Sequence, residues 1–482
     1  MITFIAAIIL LVVGYFTYGK FVEKVFGVNE NNACPAYTKE DGVDYVPIEW
    51  KRASLVQLLN IAGLGPIFGP IMGALWGPVA FIWIVLGSIL AGGVHDYFSG
   101  MLSIRNGGAG LPDMVGKYLG KGMKAFTNVF ALILLVLVGT VFMTGPANLL
   151  ANLTPGWMTL SVWVGIILVY YILATLLPVD KIIGRFYPFF GALLLIMAVG
   201  VAVAMMVQGY NIPELTLANM HPQGSPIWPL LFITIACGAI SGFHATQSPI
   251  IARCTQNEKY GRKIFYGMMI GEGIIALIWA AAGMTFYGSY EGLAAVLAPG
   301  GPGPAGVVKD VATTMLGAVG GTLAVLGVIV LPITSGDTAF RGARMLIADL
   351  VKINQKPLTK RLAIAVPLFT VGYLLTLIDF NFLWRYFAWA NQTTAMIMLW
   401  AAAVYLVQNK KLHYIASIPA AFMTVVTFTY ILMAPEGFQL ATGIAYPLGF
   451  GLALIPIGLF IKKAIGTQNN QLTVSPAKKP VR

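Results

Sequence analysis

The sequence predicts an all-α polytopic membrane protein of about thirteen transmembrane helices, built around two five-helix repeats of opposite orientation. Three observations predict it. Of 482 residues, 58% are hydrophobic and only 10% charged, and mean hydropathy is +0.81, whereas a soluble domain carries more charge. Thirteen apolar runs approach the roughly 20 residues that cross hydrocarbon. Lysine and arginine fall almost entirely in every second loop, as cytoplasmic loops require.

The runs lie near 2–20, 53–75, 77–104, 125–150, 157–177, 184–208, 227–251, 262–287, 312–335, 361–379, 381–407, 412–433 and 440–461. The first has no basic segment before it and no small-residue cleavage site after Tyr18-Gly19-Lys20, so it reads as a retained helix. Threading the runs in order puts 28 of the 30 Lys and Arg on one side, with Lys309 and Arg385 on the other. An error of one helix would scramble that alternation. The N-terminus is therefore expected outside and the C-terminus inside.

The expected units are an extra N-terminal helix (1–22), a cytoplasmic loop (23–52), repeat one (53–208), repeat two (227–407), two C-terminal helices (412–461) and a basic tail (462–482). From Gly466 the tail is polar and reads as disordered chain lying near anionic lipid. The net charge of +12 is thus a membrane signature, and the expected partners are the lipid bilayer and a small-molecule substrate, with no nucleic acid. Cys34, Cys237 and Cys254 fall in a loop, a helix and a loop, which fits neither a disulfide pair outside nor a zinc spacing.

Five is odd, so the second set of five helices crosses the bilayer inverted relative to the first. In each set the first helix is interrupted by small residues and proline, at Asn60-Ile61-Ala62-Gly63-Leu64-Gly65-Pro66 and at Gly238-Ala239-Ile240-Ser241-Gly242-Phe243-His244 with Pro249 beyond. Gly65 and Gly242 stand 177 residues apart, at similar depths in their runs. Irregular backbone survives at membrane depth only where protein, solute or water takes its hydrogen bonds. A matched pair of breaks therefore points to a transport site. The alternative is a pair of packing kinks, since glycine and proline are common in membrane helices.

A broken helix offers N–H groups on one half and carbonyls on the other, so it holds an anion and a cation close together. Asn60, Gly63, Gly65, Ser241, Gly242, His244 and Gln247 are the candidate substrate contacts. Leu331-Pro332-Ile333-Thr334-Ser335-Gly336 is expected to end the third helix of repeat two, and Thr334 and Ser335 with the Ala62 and Gly65 carbonyls would supply the oxygen ligands that a sodium ion wants. The alternative is a helix end whose hydroxyls bond back to the preceding turn.

Ionisable groups inside the membrane cost about 2.5–3.5 kcal/mol on insertion scales and so mark pathways or pairs. Glu272, between Gly271 and Gly273, and the adjacent His95 and Asp96 are candidate proton carriers. Asp337 and Arg341, one turn apart, are expected to form a local ion pair with gating as a second role.

Asp41-Gly42-Val43-Asp44-Tyr45-Val46-Pro47, Ile61 to Ile67, Ala91-Gly92-Gly93-Val94-His95-Asp96-Tyr97, Ser241 to Pro249 running into Ala252-Arg253-Cys254 and Asn257 to Arg262, and Thr334 to Arg341 together resemble the carbon starvation protein CstA family over roughly residues 1–380. The resemblance implies a transporter of the cytoplasmic membrane, linked to peptide uptake under nutrient limitation and in some members to ion-driven pyruvate import. It also implies the LeuT-like amino acid–polyamine–organocation fold. Leu55-Val56-Gln57-Leu58 departs from the pattern, standing where long family members carry Gly-His-His-Phe.

The expected function is thus ion-coupled import of a small nutrient, with a sodium ion or a proton as the coupling ion and no other cofactor. Pyruvate suits a half-helix N-terminus through its carboxylate, whereas a peptide needs a second site for its ammonium, and neither interrupted segment contains an acidic residue. An intramembrane enzyme using His95, Asp96, His244 or Glu272 is the alternative, but no Gly-x-Ser-x-Gly or His-Glu-x-x-His motif accompanies them. ATP-driven pumping lacks its phosphate-binding loop, and the segment after Ile465 is too short for a signalling domain.

Overall fold

The computed structural model describes residues 1–473 except 43, 177–179 and 356; the side chains of 176, 180–188, 319, 323, 324 and 467–473 also lie outside it. The side chains of Lys181 and Arg185, all of Lys356 and the end of the expected tail therefore fall outside the description. The described chain is helical, and its one strand-like pairing is an isolated parallel bridge between Ile48 and Thr255.

The elements are α1 (Ile2–Phe26), α2 (Trp50–Ile61), α3 (Gly65–Gly73), α4 (Val79–Arg105), α5 (Leu111–Leu119), α6 (Lys121–Leu153), α7 (Leu160–Leu176) and α8 (Asp180–Val207). They continue with α9 (Leu230–Thr234), α10 (His244–Ala252), α11 (Glu258–Thr285), α12 (Tyr290–Leu297), α13 (Gly303–Leu350), α14 (Leu358–Leu375), α15 (Phe380–Gln408), α16 (Tyr414–Met433) and α17 (Thr442–Thr473). Among the described residues, ten helices are long and apolar enough to cross a membrane, and eleven when the bent pair α2 and α3 is taken as one span. The remaining two expected runs hold the shorter apolar α7 and the interrupted stretch from α9 to α10.

Burial sorts these helices by layer. The most apolar stretch of α15 is 100% buried, whereas those of α1, α14 and α17 are 28%, 28% and 22% buried. Ile5 and Ile9 on α1 and Leu454, Ile455 and Leu459 on α17 point outward, which costs nothing against lipid tails as apolar as leucine. The core therefore gathers around α15, α4, α11 and the two broken segments.

Both interruptions are present, and they differ in extent. In the first, Ala62 leaves the helical region (φ −82°, ψ 52°) and α3 restarts at Gly65-Pro66 after a bend of 48°. In the second, residues 235–243 separate the five-residue α9 from α10, and Gly238 takes φ +86°, a left-handed conformation that only glycine adopts at no cost. The two meet face to face: a Cβ built on Gly65 would fall 2.3 Å from Cys237 Cβ, and one on Gly238 would fall 3.7 Å from Pro66 Cα.

Three boundaries differ from expectation. The run expected at 312–335 is a helix from Gly303 to Leu350, with Gly317 alone outside helical geometry at φ 75°, so the Leu331 to Gly336 stretch ends nothing. Pro332 removes one N–H, but backbone in hydrocarbon must keep its remaining bonds, and continuing the helix keeps them. The first helix runs on to Phe26, past the expected start of the loop. Helix α17 continues to Thr473, through the first part of the stretch read as disordered.

On the basic face, Glu258 is fully buried and ties four segments together. Its carboxylate accepts from Arg105 Nε (3.0 Å) and Nη2 (2.9 Å), from the Asn29 N–H (3.0 Å) and from Asn32 Nδ2 (3.1 Å). Arg105 also donates to Tyr405 (2.5 Å) and to the Gly27 carbonyl (2.7 Å). The loop after α1 is thereby fixed across the exit of α10.

Candidate functional site

The ionisable groups scattered through the sequence converge on the second break. His95 Nδ1 lies 2.8 Å from Asp96 Oδ1, His244 Nδ1 lies 2.8 Å from Asp96 Oδ2, and His244 Nε2 lies 3.4 Å from Glu272 Oε2. All four side chains are 0% exposed. Asp96 comes from α4, His244 opens α10 and Glu272 comes from α11, so three helices contribute. A π-helical turn at Gly87–Gly92 precedes His95 and Asp96, and such insertions cluster at functional sites.

The hydrogen-bond pattern assigns the protons. An ionised Asp96 can only accept, so each imidazole carries a proton on Nδ1 and directs Nε2 away. For His244 that leaves Nε2 facing Glu272 with one proton to share, as imidazolium with carboxylate or as imidazole with carboxylic acid. Removing it would leave two buried carboxylates and no cation, which a low-dielectric site resists. The arrangement has a place for one proton between His244 Nε2 and Glu272 Oε2, which lie 3.4 Å apart.

These positions correct the expectation that acidic residues are absent from the breaks. Two carboxylates reach the second break through space, from helices remote in sequence. Cys237, His244 and Glu272 also place one ligand atom each within 4.8 Å, a donor set of the kind that holds a divalent ion. The Cys237 sulfur is already engaged, whereas His244 Nε2 and both Glu272 oxygens have no hydrogen-bond partner among the described residues. Cys237 Sγ contacts Ser241 Oγ and Asn391 Nδ2, each at 3.3 Å, and His244 is shared between the two carboxylates.

The first break is chemically barer. Ala62 O would bond the N–H of residue 66 in a continuous helix, but that residue is Pro66, and Ile67 N–H donates to Leu64 O (3.1 Å) rather than to Gly63 O. Among the described residues, no group donates to the Ala62 or Gly63 carbonyls, and none accepts from the Leu64 or Gly65 N–H. Carbonyls and amides thus stand open within four residues. Phe142 borders them: a Cβ on Gly63 would lie 2.9 Å from its ring, and one on Gly336 would lie 3.3 Å from its Cβ.

The second break lacks the open donors expected at Gly242. Its N–H donates to the Asn391 carbonyl (3.1 Å), while Asn391 Oδ1 accepts from the Phe243 N–H (2.6 Å) and the Ser241 hydroxyl (3.1 Å). Ser88 donates to Gly238 O (2.8 Å) and Trp83 to Ile235 O (3.2 Å). Side chains from other helices fill this break, so its main chain offers less to a solute than the first.

The remaining candidates spread along one path. Gln57, in the departure from the family pattern, is buried on α2 and donates to Ser248 on α10 (3.3 Å). Asn60 lies on the last turn of α2. Gln247 and Thr246 line a cavity of about 360 Å³ whose other walls include Lys124, Arg253 and Arg341 on the basic face. Asp337 and Arg341 do pair (3.0 Å), within α13 rather than at a helix end. Thr334 spends its hydroxyl on Leu331 O (2.8 Å), while the buried Ser335 hydroxyl has no partner among the described residues.

A second cavity of about 340 Å³ lies beyond the first break and reaches Phe68, Thr144, Asn148 and Asp379. Phe68, Phe142, Phe243, Trp384 and Phe387 form a chain of ring contacts around the breaks, with centroids 5.2 to 6.3 Å apart.

The sequence model of the carbon starvation protein CstA matches residues 1–166, 157–300 and 283–430. An uncharacterized membrane protein of Haemophilus influenzae is 48% identical over 62% of this chain and 95% of its own. The peptide transporter CstA of Escherichia coli is 25% identical over 88% of this chain and 80% of its own. The pyruvate/proton symporter BtsT of Escherichia coli is 28% identical over 57% of this chain and 47% of its own.

In fold, the chain is similar to the manganese transporter of Eremococcus coleocola (TM-score 0.53, 12% identity, 88% of this chain and 98% of that one). It is similar also to Mhp1, a nucleobase-cation-symport-1 family transporter (TM-score 0.52, 14% identity, 92% and 96%). Named relatives and fold neighbours alike are transporters, which sets aside the intramembrane enzyme. With the family model matched from residue 1 to residue 430, the chain belongs to the carbon starvation protein CstA family, a LeuT-like secondary transporter.

Proposed function

We propose that this transporter imports a small carboxylate-bearing nutrient, a peptide or a pyruvate-like acid, across the cytoplasmic membrane in symport with a proton. The observation that carries the reading is the buried chain from Asp96 through His244 to Glu272 beside the broken helix, and in this reading the chain carries the coupling proton. The Leu64 and Gly65 N–H groups at the start of α3 receive the carboxylate, with Asn60, Gly63 and Gly65 around it. Ser241, Gly242 and His244 form the opposite wall, and Gln247 meets the solute on its way to the basic cavity.

Protonation couples to transport through His244, the residue at which α10 resumes. In the same reading residues 53–208 and 227–407 are the inverted repeats of a thirteen-span chain, the N-terminus is outside, and Asp337 with Arg341 gates the cytoplasmic cavity. The names of the relatives support peptide and pyruvate as substrate classes and a proton as the driving ion. Sodium coupling through Ser335 and the Ala62 and Gly65 carbonyls is the second reading, favoured by the partnerless Ser335 hydroxyl.

The test is reconstitution in liposomes with labelled pyruvate and labelled dipeptide under separate proton and sodium gradients. Accumulation under the proton gradient is expected. Accumulation under sodium alone would move the coupling site to Ser335, and transport of neither solute by folded protein would defeat the proposal.

A further inference from the structure

The second break is held open by a helix to which the sequence assigns no chemistry. Asn391 and Gln392 sit in the middle of α15, and both are fully buried. Gln392 Nε2 donates to Phe232 O (2.9 Å), at the carbonyl end of α9. Asn391 works at the other end: its side-chain oxygen takes the Phe243 N–H and the Ser241 hydroxyl, its main-chain oxygen takes the Gly242 N–H, and its Nδ2 meets Cys237 Sγ. The approach is so close that a Cβ on Gly242 would fall 2.3 Å from Asn391 O and 2.5 Å from Ala395 N.

Two neighbouring side chains therefore supply both kinds of bond that an unwound segment lacks, donors for its carbonyls and acceptors for its amides. Without the Asn391 oxygen, the Phe243 N–H must find another acceptor, since an orphaned amide in hydrocarbon costs several kcal/mol. The nearest are carbonyls of the preceding residues, and taking one would wind α10 backward. His244, the next residue in the chain, would move with it.

We propose that Asn391 is a positioning residue for proton coupling: its carboxamide oxygen fixes Phe243 so that His244 reaches Asp96 and Glu272 together. The inference rests on the proton-symport reading. The titratable groups facing Glu272 are His244 and Asp96, with Cys237 alongside, and Asn391 touches none of the first three. It acts on them through the Phe243 amide, while its Nδ2 contact with Cys237 is lost equally in the two variants compared below.

The isosteric pair Asn391→Thr and Asn391→Val tests this, because the two differ only in a hydroxyl able to accept from that amide. The readout is labelling of Glu272 by a hydrophobic carbodiimide, which attacks buried carboxylic acids in their protonated form, followed by mass spectrometry across a pH series in detergent. The threonine variant should keep the wild-type midpoint, and the valine variant should shift it by about one pH unit or more, a tenfold change in proton affinity. Equal midpoints in the two variants would overturn the inference.

If valine prevents folding, the smaller pair Asn391→Ser and Asn391→Ala repeats the comparison with the same two outcomes. The labelling needs no substrate. Failure of the symport reading appears separately, as wild-type uptake that ignores the proton gradient.

Discussion

The two broken helices occupy matching places in the chain and have acquired opposite chemistries. The first is three residues wide, walled by Phe142 and Cys237, and leaves amides at Leu64 and Gly65 and carbonyls at Ala62 and Gly63 open. The second is nine residues wide and is filled by Ser88, Trp83, Asn391 and Gln392, with Asp96 and Glu272 holding the histidine at its end. The two backbone defects thus differ in what they leave free, with main-chain groups unpaired at the first and paired by neighbouring helices at the second. In the function proposed above, the first serves recognition and the second coupling.

The largest effect expected from breaking that division is at its closest contact. Gly242→Leu places a side chain where even a Cβ meets Asn391 O at 2.3 Å; uptake should vanish while membrane insertion is unchanged, and normal uptake would remove the second break from the site. Gly65→Leu should abolish uptake as well, since a Cβ there falls 2.3 Å from Cys237 Cβ. What distinguishes the breaks is the milder Asp96→Asn. It removes the carboxylate that His95 and His244 share and leaves His244 to Glu272 alone, and the loss of these buried bonds should lower Tm in a way that extra substrate does not restore.

Smaller effects sharpen the picture. Gln57→Leu removes one neutral hydrogen bond between the halves of the site, worth about 1 kcal/mol, and should raise KM severalfold with little change in Tm. Arg341→Lys keeps the charge opposite Asp337, a partly exposed pair worth about 0–1 kcal/mol, and should alter the rate of uptake without altering its ion dependence. A loss of proton dependence in either variant would extend the coupling machinery beyond the second break.

Much of the architecture is legible in the residues because a membrane imposes few solutions. Apolar run length placed helices at the expected positions, and Pro66 and Gly238 marked backbone that cannot stay regular, whereas Pro249 lies inside the helix that resumes at His244. Proline and glycine signal locally, so the breaks were readable one at a time. Their difference was not: Asn391 and Gln392 lie in an apolar helix with no interruption, and nothing local ties them to residues 150 positions away. The meeting of Asp96, His244 and Glu272 was hidden for the same reason. Each stood out as a costly group in lipid, but the cost says only that a partner exists. The expected helix end at Pro332 failed because proline disfavours a helix without forbidding it, and a membrane gives the chain nowhere better to go.

The most direct test of proton coupling at the second break is Glu272→Gln in liposomes, measured in two modes. The carboxamide keeps the size of the side chain but cannot release a proton to His244. Accumulation driven by a proton gradient should disappear, while exchange of labelled for unlabelled substrate at equal pH on both sides should persist. Accumulation with wild-type dependence on the gradient would contradict the account.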